Sequence, residues 1–171
     1  MGMNISKKIY IIAFSCIVIL VSSCSLQNSK FVIEKYQNQV PIKTYLPTYI
    51  PHGVVLSEAG TTGPISGGPD NGSMAFELNY TGALGNIRIT ETNSPVSIAS
   101  IDNKSGINIL INGIYILKIE TEELDTKQPA TLIKTTFYEW NYDETNFEVS
   151  DTGYNNEDGT KIVETIVAQQ N

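Results

Sequence analysis

Apolar and polar residues alternate in several stretches of this chain, as they do in strands of a sheet with one buried face. Residues 76–80 and 87–90 alternate in this way and are separated by a turn at residues 81–85. Residues 136–142 alternate again, before a four-residue hairpin loop at residues 143–146. These patterns predict antiparallel hairpins with one dry and one wet side.

A different pattern surrounds Asn112-Gly113, the residue pair preferred in a type I′ turn. The flanking stretches, residues 107–111 and 114–119, are apolar on both faces. Such strands are usually central in a sheet and covered on both sides. We therefore predict a central hairpin here, with a further element packed on its second face.

That cover is predicted to be a helix at the C-terminus. Asn155 or Asn156 can cap it, and Glu157 and Asp158 suit its positive N-terminal end. One apolar stripe follows at helical spacing, formed by Ile162, Val163, Ile166 and Val167. The predicted fold class is α+β: a curved antiparallel β-sheet, a meander of hairpins, with a C-terminal helix packed on one face.

The remaining segments give weaker patterns. Residues 31–36 fit a strand or a short helix, and periodicity does not decide between them. Three prolines in residues 40–53 forbid a regular helix there, and residues 54–59 predict a strand. Residues 60–72 predict a long exposed loop because Gly, Pro, Thr and Ser dominate them. Residues 121–129 read as a polar link, and residues 130–133 as a short strand or its beginning.

The N-terminus carries an export pattern. Lys7 and Lys8 precede an apolar run at residues 9–21, and Val21-Ser22-Ser23-Cys24 follows. This resembles the bacterial lipoprotein lipobox, which implies cleavage between Ser23 and Cys24 and a diacylglycerol on the Cys24 thiol. A transmembrane anchor is the alternative, but the run has about a dozen residues where a spanning helix needs roughly 20.

On this resemblance, residues 1–23 are a lipoprotein signal peptide, residues 24–30 a tether, and residues 31–171 a single α+β domain. The protein would carry a lipid anchor that includes palmitate, and it would lie on the extracytoplasmic face of the cell membrane. Its partner would be that membrane, together with another envelope protein or the cell wall.

Charge and cysteine content narrow the chemistry. The formal net charge is −7, and an acidic surface repels phosphate backbones, so we expect no nucleic-acid partner. Cys16 lies in the leader, and no cysteine follows Cys24. The domain therefore has no disulfide, no thiolate nucleophile and no thiolate metal site.

Few residues suggest a site. Tyr138, Trp140 and Tyr142 share a strand face and can stack on a sugar or peptide, although packing is the alternative at that spacing. His52 is the single histidine, set between Pro51 and Gly53, and we interpret it as an exposed turn residue. We predict no catalytic residues, no metal site and no cofactor.

A set of landmarks then resembles a known family. They are Tyr49-Ile50-Pro51-His52-Gly53 before a strand, Ile111-Asn112-Gly113, Tyr138-Glu139-Trp140, Phe147-Glu148-Val149-Ser150 and the Lys161-Ile162-Val163-Glu164-Thr165-Ile166 helix. The resembled family is a domain of unknown function found in Gram-positive lipoproteins and anti-sigma-factor-like proteins. The resemblance implies a curved antiparallel sheet with a packed helix and no enzymatic role.

Together these observations predict a lipid-anchored extracytoplasmic binding or interaction module that is not an enzyme. The alternative is an accessory sensor or regulator that acts through a membrane partner, as in an anti-sigma-like system. A hydrolase with a carboxylate pair is the remote alternative.

Overall fold

The structure is a computed structural model, and it describes residues 31–63, 74–93, 106–124 and 131–170. The predicted signal peptide, its cleavage site at Ser23 and Cys24, and the tether lie outside the described residues. The chain divides into two compact units, Met1–Lys35 and Tyr36–Asn171. Residues 31–37 form a short helix, α1, which resolves the choice left open by periodicity.

Seven strands follow within the described ranges, and all neighbouring pairs are antiparallel. Their order across the sheet is β1-β2-β3-β7-β6-β5-β4. A second helix, α2 (Asn156–Val167), packs on β6 and β7. The predicted α+β class is confirmed. The strands are β1 (Val55–Thr62), β2 (Ala75–Thr81), β3 (Asn86–Thr92), β4 (Gly106–Ile111), β5 (Ile114–Leu124), β6 (Leu132–Tyr142) and β7 (Thr145–Thr152).

Several predicted boundaries are wrong. β1 continues through Thr62, so the first residues of the predicted 60–72 loop are strand. β5 continues to Leu124, into the predicted polar link. In both cases cross-strand hydrogen bonds extend a strand whose sequence lacks apolar alternation. Residues 132–142 form one unbroken strand, and the loop at 143–146 shortens to a two-residue turn.

One face of the sheet, the helix face, contains the core. Burial alternates along β7, where Thr145, Phe147, Val149 and Asp151 point inward. The alternation predicted for β2 and β3 is confirmed, as is the apolar stripe of α2. In β6, Tyr138 and Trp140 are buried on one face as predicted, but Glu139 on the other face is buried as well. The Asn155 side chain accepts hydrogen bonds from the N–H groups of Glu157 and Asp158, so it is the N-cap.

The proline-containing segment packs beside α2 as an extended strap, defined here as residues 40–51. The Tyr49 hydroxyl donates to Asp158 Oδ1 at 2.6 Å, and Thr48 N–H donates to Thr165 Oγ1 at 3.2 Å. The Gln169 side chain donates to the Leu46 carbonyl at 2.6 Å. Two of these hydrogen bonds join the strap to α2, and the third joins it to the residues that follow α2. The backbone N–H of Thr48 and the carbonyl of Leu46, which have no helix partner in this proline-containing segment, are satisfied in this way.

The predicted central hairpin is wrong in its position. Its turn is of the predicted kind, since Asn112 and Gly113 both have positive φ angles of 47° and 84°. Its first strand, β4, nevertheless lies at the edge of the sheet, and α2 covers β6 and β7 instead. In this hairpin, a strand with apolar residues on both faces thus lies exposed at the sheet edge and is not covered on both sides.

None of the helices in the described ranges combines the length and the apolar character that crossing a membrane requires.

Candidate functional site

A cleft of about 410 Å³ opens between the strap and the turn that joins β6 to β7. That volume lies within the range of small-molecule sites, about 300–1,000 Å³. The start of the strap forms part of the walls of this cleft. The other described residues that line the cleft are Lys43, Tyr45, Asn93, Asp143, Glu144 and Thr145.

The turn that forms one wall has an unfavourable backbone. Asp143 and Glu144 have φ angles of 48° and 62°, in the left-handed region. A residue with a side chain loses roughly 1–2 kcal/mol there, and only Asp is tolerated with local compensation. The β4–β5 hairpin of this chain solves the same geometry with Asn112-Gly113. Glu144 thus occupies the position at which glycine would be more stable, and such residues concentrate at functional sites.

The two walls carry opposite charge. Asp143 and Glu144 are exposed on the turn side, and Lys43 is exposed on the strap side. A hydrogen bond with the Tyr45 side chain is the main cause that raises the pKa of Lys43, and the Asp143 charge adds to it. Lys43 Nζ lies 4.8 Å from the centroid of the Tyr45 ring, a cation–π distance.

Tyr45 forms the base of the strap wall and joins it to the core. Its ring makes edge contacts with Tyr142 and Phe147, at centroid distances of 6.0 and 5.9 Å. Phe147 is stacked on Trp140 at 5.0 Å. This aromatic cluster holds the wall in place, because interlocked rings leave few alternative packings.

A buried carboxyl fixes the strap from below. The Tyr45 N–H donates to Glu91 Oε1 at 3.0 Å and to Oε2 at 3.2 Å. Glu91 is 0% exposed, and the strand register places it between Phe76 on β2 and Phe147 on β7. Burial raises the pKa of Glu91 to about 8, although the hydrogen bond from Tyr45 lowers it.

The three aromatic residues predicted to bind a ligand divide into two groups. Tyr138 and Trp140 are 0% and 2% exposed, and they pack between the sheet and α2. The Tyr138 hydroxyl donates to the Asn156 carbonyl at 3.2 Å, and Trp140 Nε1 donates to Gln170 Oε1 at 3.1 Å. Tyr142 is half-buried and touches Tyr45 at the base of the cleft. Packing is thus the observed role of Tyr138 and Trp140.

Cys24 and Ser23, the predicted lipidation and cleavage residues, lie outside the described residues. His52 is exposed in the turn before Gly53, whose φ is 81°, in agreement with its interpretation as a turn residue.

The strand register also pairs two carboxyls, the feature that a hydrolase would need. Glu139 lies opposite Glu148 on the face away from α2. Burial raises the pKa of Glu139 to about 7, with the charge of Glu148 as the second cause. Glu139 is only 3% exposed, so little of this carboxyl is accessible to a substrate. Over the described ranges, no group of three His, Cys, Asp or Glu side chains is placed to hold a metal ion.

The residues of the cleft were not identified from the sequence. Lys43 stands in a proline-rich segment that carries no periodic signal, and the sequence of residues 143–146 predicts only a four-residue hairpin loop. One signal is present in the sequence. The number of residues between the apolar ends of β6 and β7 allows a two-residue turn, and neither residue of that turn is glycine. Glu91 gave a signal too, because it falls in phase with Ile87 and Ile89 on the apolar face.

Comparisons with known proteins add no relative to this picture: no protein-family model matches the chain, and neither a curated protein nor a solved structure matches it.

Proposed function

We propose that this chain is a lipid-anchored, non-enzymatic binding protein of the extracytoplasmic membrane face, and that its ligand occupies the cleft between strap and turn. The observation that carries the proposal is the Asp143-Glu144 turn. It places two carboxylates on a cleft wall at a backbone geometry that favours glycine. The lipobox resemblance at Cys24 supports the location.

The charges define the ligand. Asp143 and Glu144 on one wall suit an ammonium group, and Lys43 on the other suits a carboxylate. Tyr45, which is only 4% exposed, positions the strap wall from beneath. A ligand with both charges, such as a short peptide with free ends or an amino acid, fits this arrangement. Dialanine carries both groups and serves as the probe.

The turn gives a sharp test, because stability and binding should change in opposite directions. In Asp143→Asn/Glu144→Gly the turn takes the sequence of the β4–β5 hairpin. We expect the free energy of unfolding to rise by about 1 kcal/mol, since the left-handed strain is relieved. We expect dialanine binding to weaken by about ten- to a hundredfold, since charge-assisted hydrogen bonds are lost. Urea unfolding and isothermal titration calorimetry measure the two effects.

A matched variant separates charge from backbone strain. Asp143→Asn/Glu144→Gln removes both charges but keeps side chains on the strained turn, so binding should weaken without the gain in stability. N-acetyl-dialanine and dialanine amide, which lack one charge each, should bind less tightly than dialanine. If all three probes bind equally, or if both double variants bind like the wild type, the cleft is not the ligand site.

The anchor has its own test. With Cys24→Ala the thiol that would carry the lipid is absent, so we expect the protein to leave the membrane or to keep its leader. Membrane fractionation and intact mass spectrometry of the expressed protein measure this. A variant that is still cleaved before residue 24 and still carries acyl chains would refute lipidation at Cys24, without bearing on the cleft.

A further inference from the structure

The two edges of the sheet are built differently. β4 ends the sheet on one side, and among the described residues it has a strand neighbour only in β5. It carries no charged residue and no proline. Ile107 and Leu110 are 61% and 60% exposed, and Tyr115, opposite Leu110 on β5, is 73% exposed. An uncharged, exposed and apolar edge is a template for another strand.

The opposite edge, β1, carries the features that prevent such pairing. Its register with β2 shifts between Leu56 and Glu58, which marks a β-bulge, and Glu58 adds an exposed charge. Bulges and charges are the usual protection of an edge strand. Because the same sheet protects β1 in this way, the smooth and uncharged β4 indicates an edge that is used.

We propose that β4 binds a second copy of this chain, antiparallel to its own β4, so that the two sheets join into one. The distribution of charge indicates where on the surface two copies can meet. Each copy has a formal net charge of −7, so two copies repel each other wherever carboxylates meet. Residues 106–119 hold a single charged side chain, that of Lys118. Two acidic copies can approach there with no carboxylate on the pairing strands themselves, and the carboxylate of Glu164 on α2 lies beside Leu110 and Ile111 at one end of β4.

The strand is also complementary to itself. A two-fold axis at Ile109 places Ile107 of one copy opposite Ile111 of the other, and both belong to the same face as Ile109. On the other face, the same axis places the exposed Leu110 of one copy opposite Asn108 of the other, with Tyr115 on the adjacent strand beside each Leu110. The interface is isologous, with each copy using the same surface.

Sedimentation equilibrium of the full chain in a density-matched detergent tests the proposal over a wide range of protein concentration. We expect a reversible monomer–dimer equilibrium. Ile107→Lys/Leu110→Lys places a charge on each face of β4, at side chains that are already exposed. This variant should be monomeric over the whole range, and its urea unfolding midpoint should equal that of the wild type at concentrations where the wild type is monomeric. In the wild type, hydrogen exchange of the β4 amides should slow as the concentration rises.

The matched control is Val55→Lys on β1, which is exposed to a similar extent, 64%, on the opposite edge. It should dimerise like the wild type. Because all variants share the same N-terminal segment, association through that segment would survive in each of them. A wild type that is monomeric at every concentration, or a dimer that persists in Ile107→Lys/Leu110→Lys, overturns the proposal.

Discussion

Glu91→Gln is expected to make the protein more stable than the wild type above about pH 8, and to remove much of the loss of stability that the wild type shows between acidic and basic pH. The wild-type carboxyl must either keep its proton or place a charge between two phenylalanines. A neutral amide avoids both, and its oxygen can still accept the hydrogen bond of the Tyr45 N–H.

The direction follows from the two pKa values. The Glu91 carboxyl has its ordinary pKa of 4.5 in the unfolded chain and a pKa of about 8 in the folded protein. Between these values the folded protein binds a proton that the unfolded chain has released. The free energy of unfolding therefore falls as pH rises, by up to about 1.4 kcal/mol per pH unit. The contribution is fully present below pH 4.5 and is lost at about pH 8.

The experiment is urea unfolding at a series of pH values, followed by the fluorescence of Trp140, the single and buried tryptophan. Glu139→Gln is an informative second variant, because its pKa of about 7 confines its effect to a lower pH window. Exposed Glu122→Gln controls for the loss of one negative charge. Parallel pH profiles for the wild type and Glu91→Gln would show that Glu91 is ionised in the folded protein at neutral pH.

Gly85→Ala is expected to destabilise the protein by about 3 kcal/mol or more. A Cβ atom at this position would lie 1.8 Å from the backbone carbonyl oxygen of Thr152 and 3.2 Å from Gly153 Cα. The β2–β3 turn and the end of β7 thus approach too closely for any side chain. The clash is with backbone, which cannot rotate away, so one of the two segments must move.

Gly60→Ala is the matched control, since a Cβ atom at Gly60 would have no heavy atom within 4 Å. It should change the free energy of unfolding by less than about 0.5 kcal/mol. Urea unfolding of both variants measures the difference. If the two glycines tolerate alanine equally, the close approach of the turn to β7 is not present in solution.

Local pattern was enough to predict most elements. The alternation of β2, β3 and β6 and the apolar stripe of α2 determine which face each element buries, because a strand or helix with one apolar face has few ways to exclude water. The order of the strands was not predictable in this way. β3 pairs with β7, which lies far from it in the sequence, and the pattern of a short stretch of residues does not determine such a pairing. The apolar pattern of the β4–β5 hairpin therefore predicts a central position, whereas β4 lies at an edge.

The site was less predictable than the fold. Tyr138 and Trp140 attract attention as aromatic residues on one strand face, but burial beneath α2 gives them a packing role. Lys43, Asp143 and Glu144 form a site only through the contact of the strap with a turn a hundred residues away in the chain. The strain at Glu144 is a property of backbone angles, which residue type alone does not reveal.

The bulge between Leu56 and Glu58 has a consequence for how far assembly can proceed. If β4 joins two copies, both smooth edges are consumed, and the outermost strands of the resulting fourteen-stranded sheet are the two copies of β1. A third molecule could then pair only with the two β1 edges, which are irregular and charged. Growth would therefore stop at a closed pair, in which the apolar segment Ile107–Ile111 of each copy is covered by that of the other.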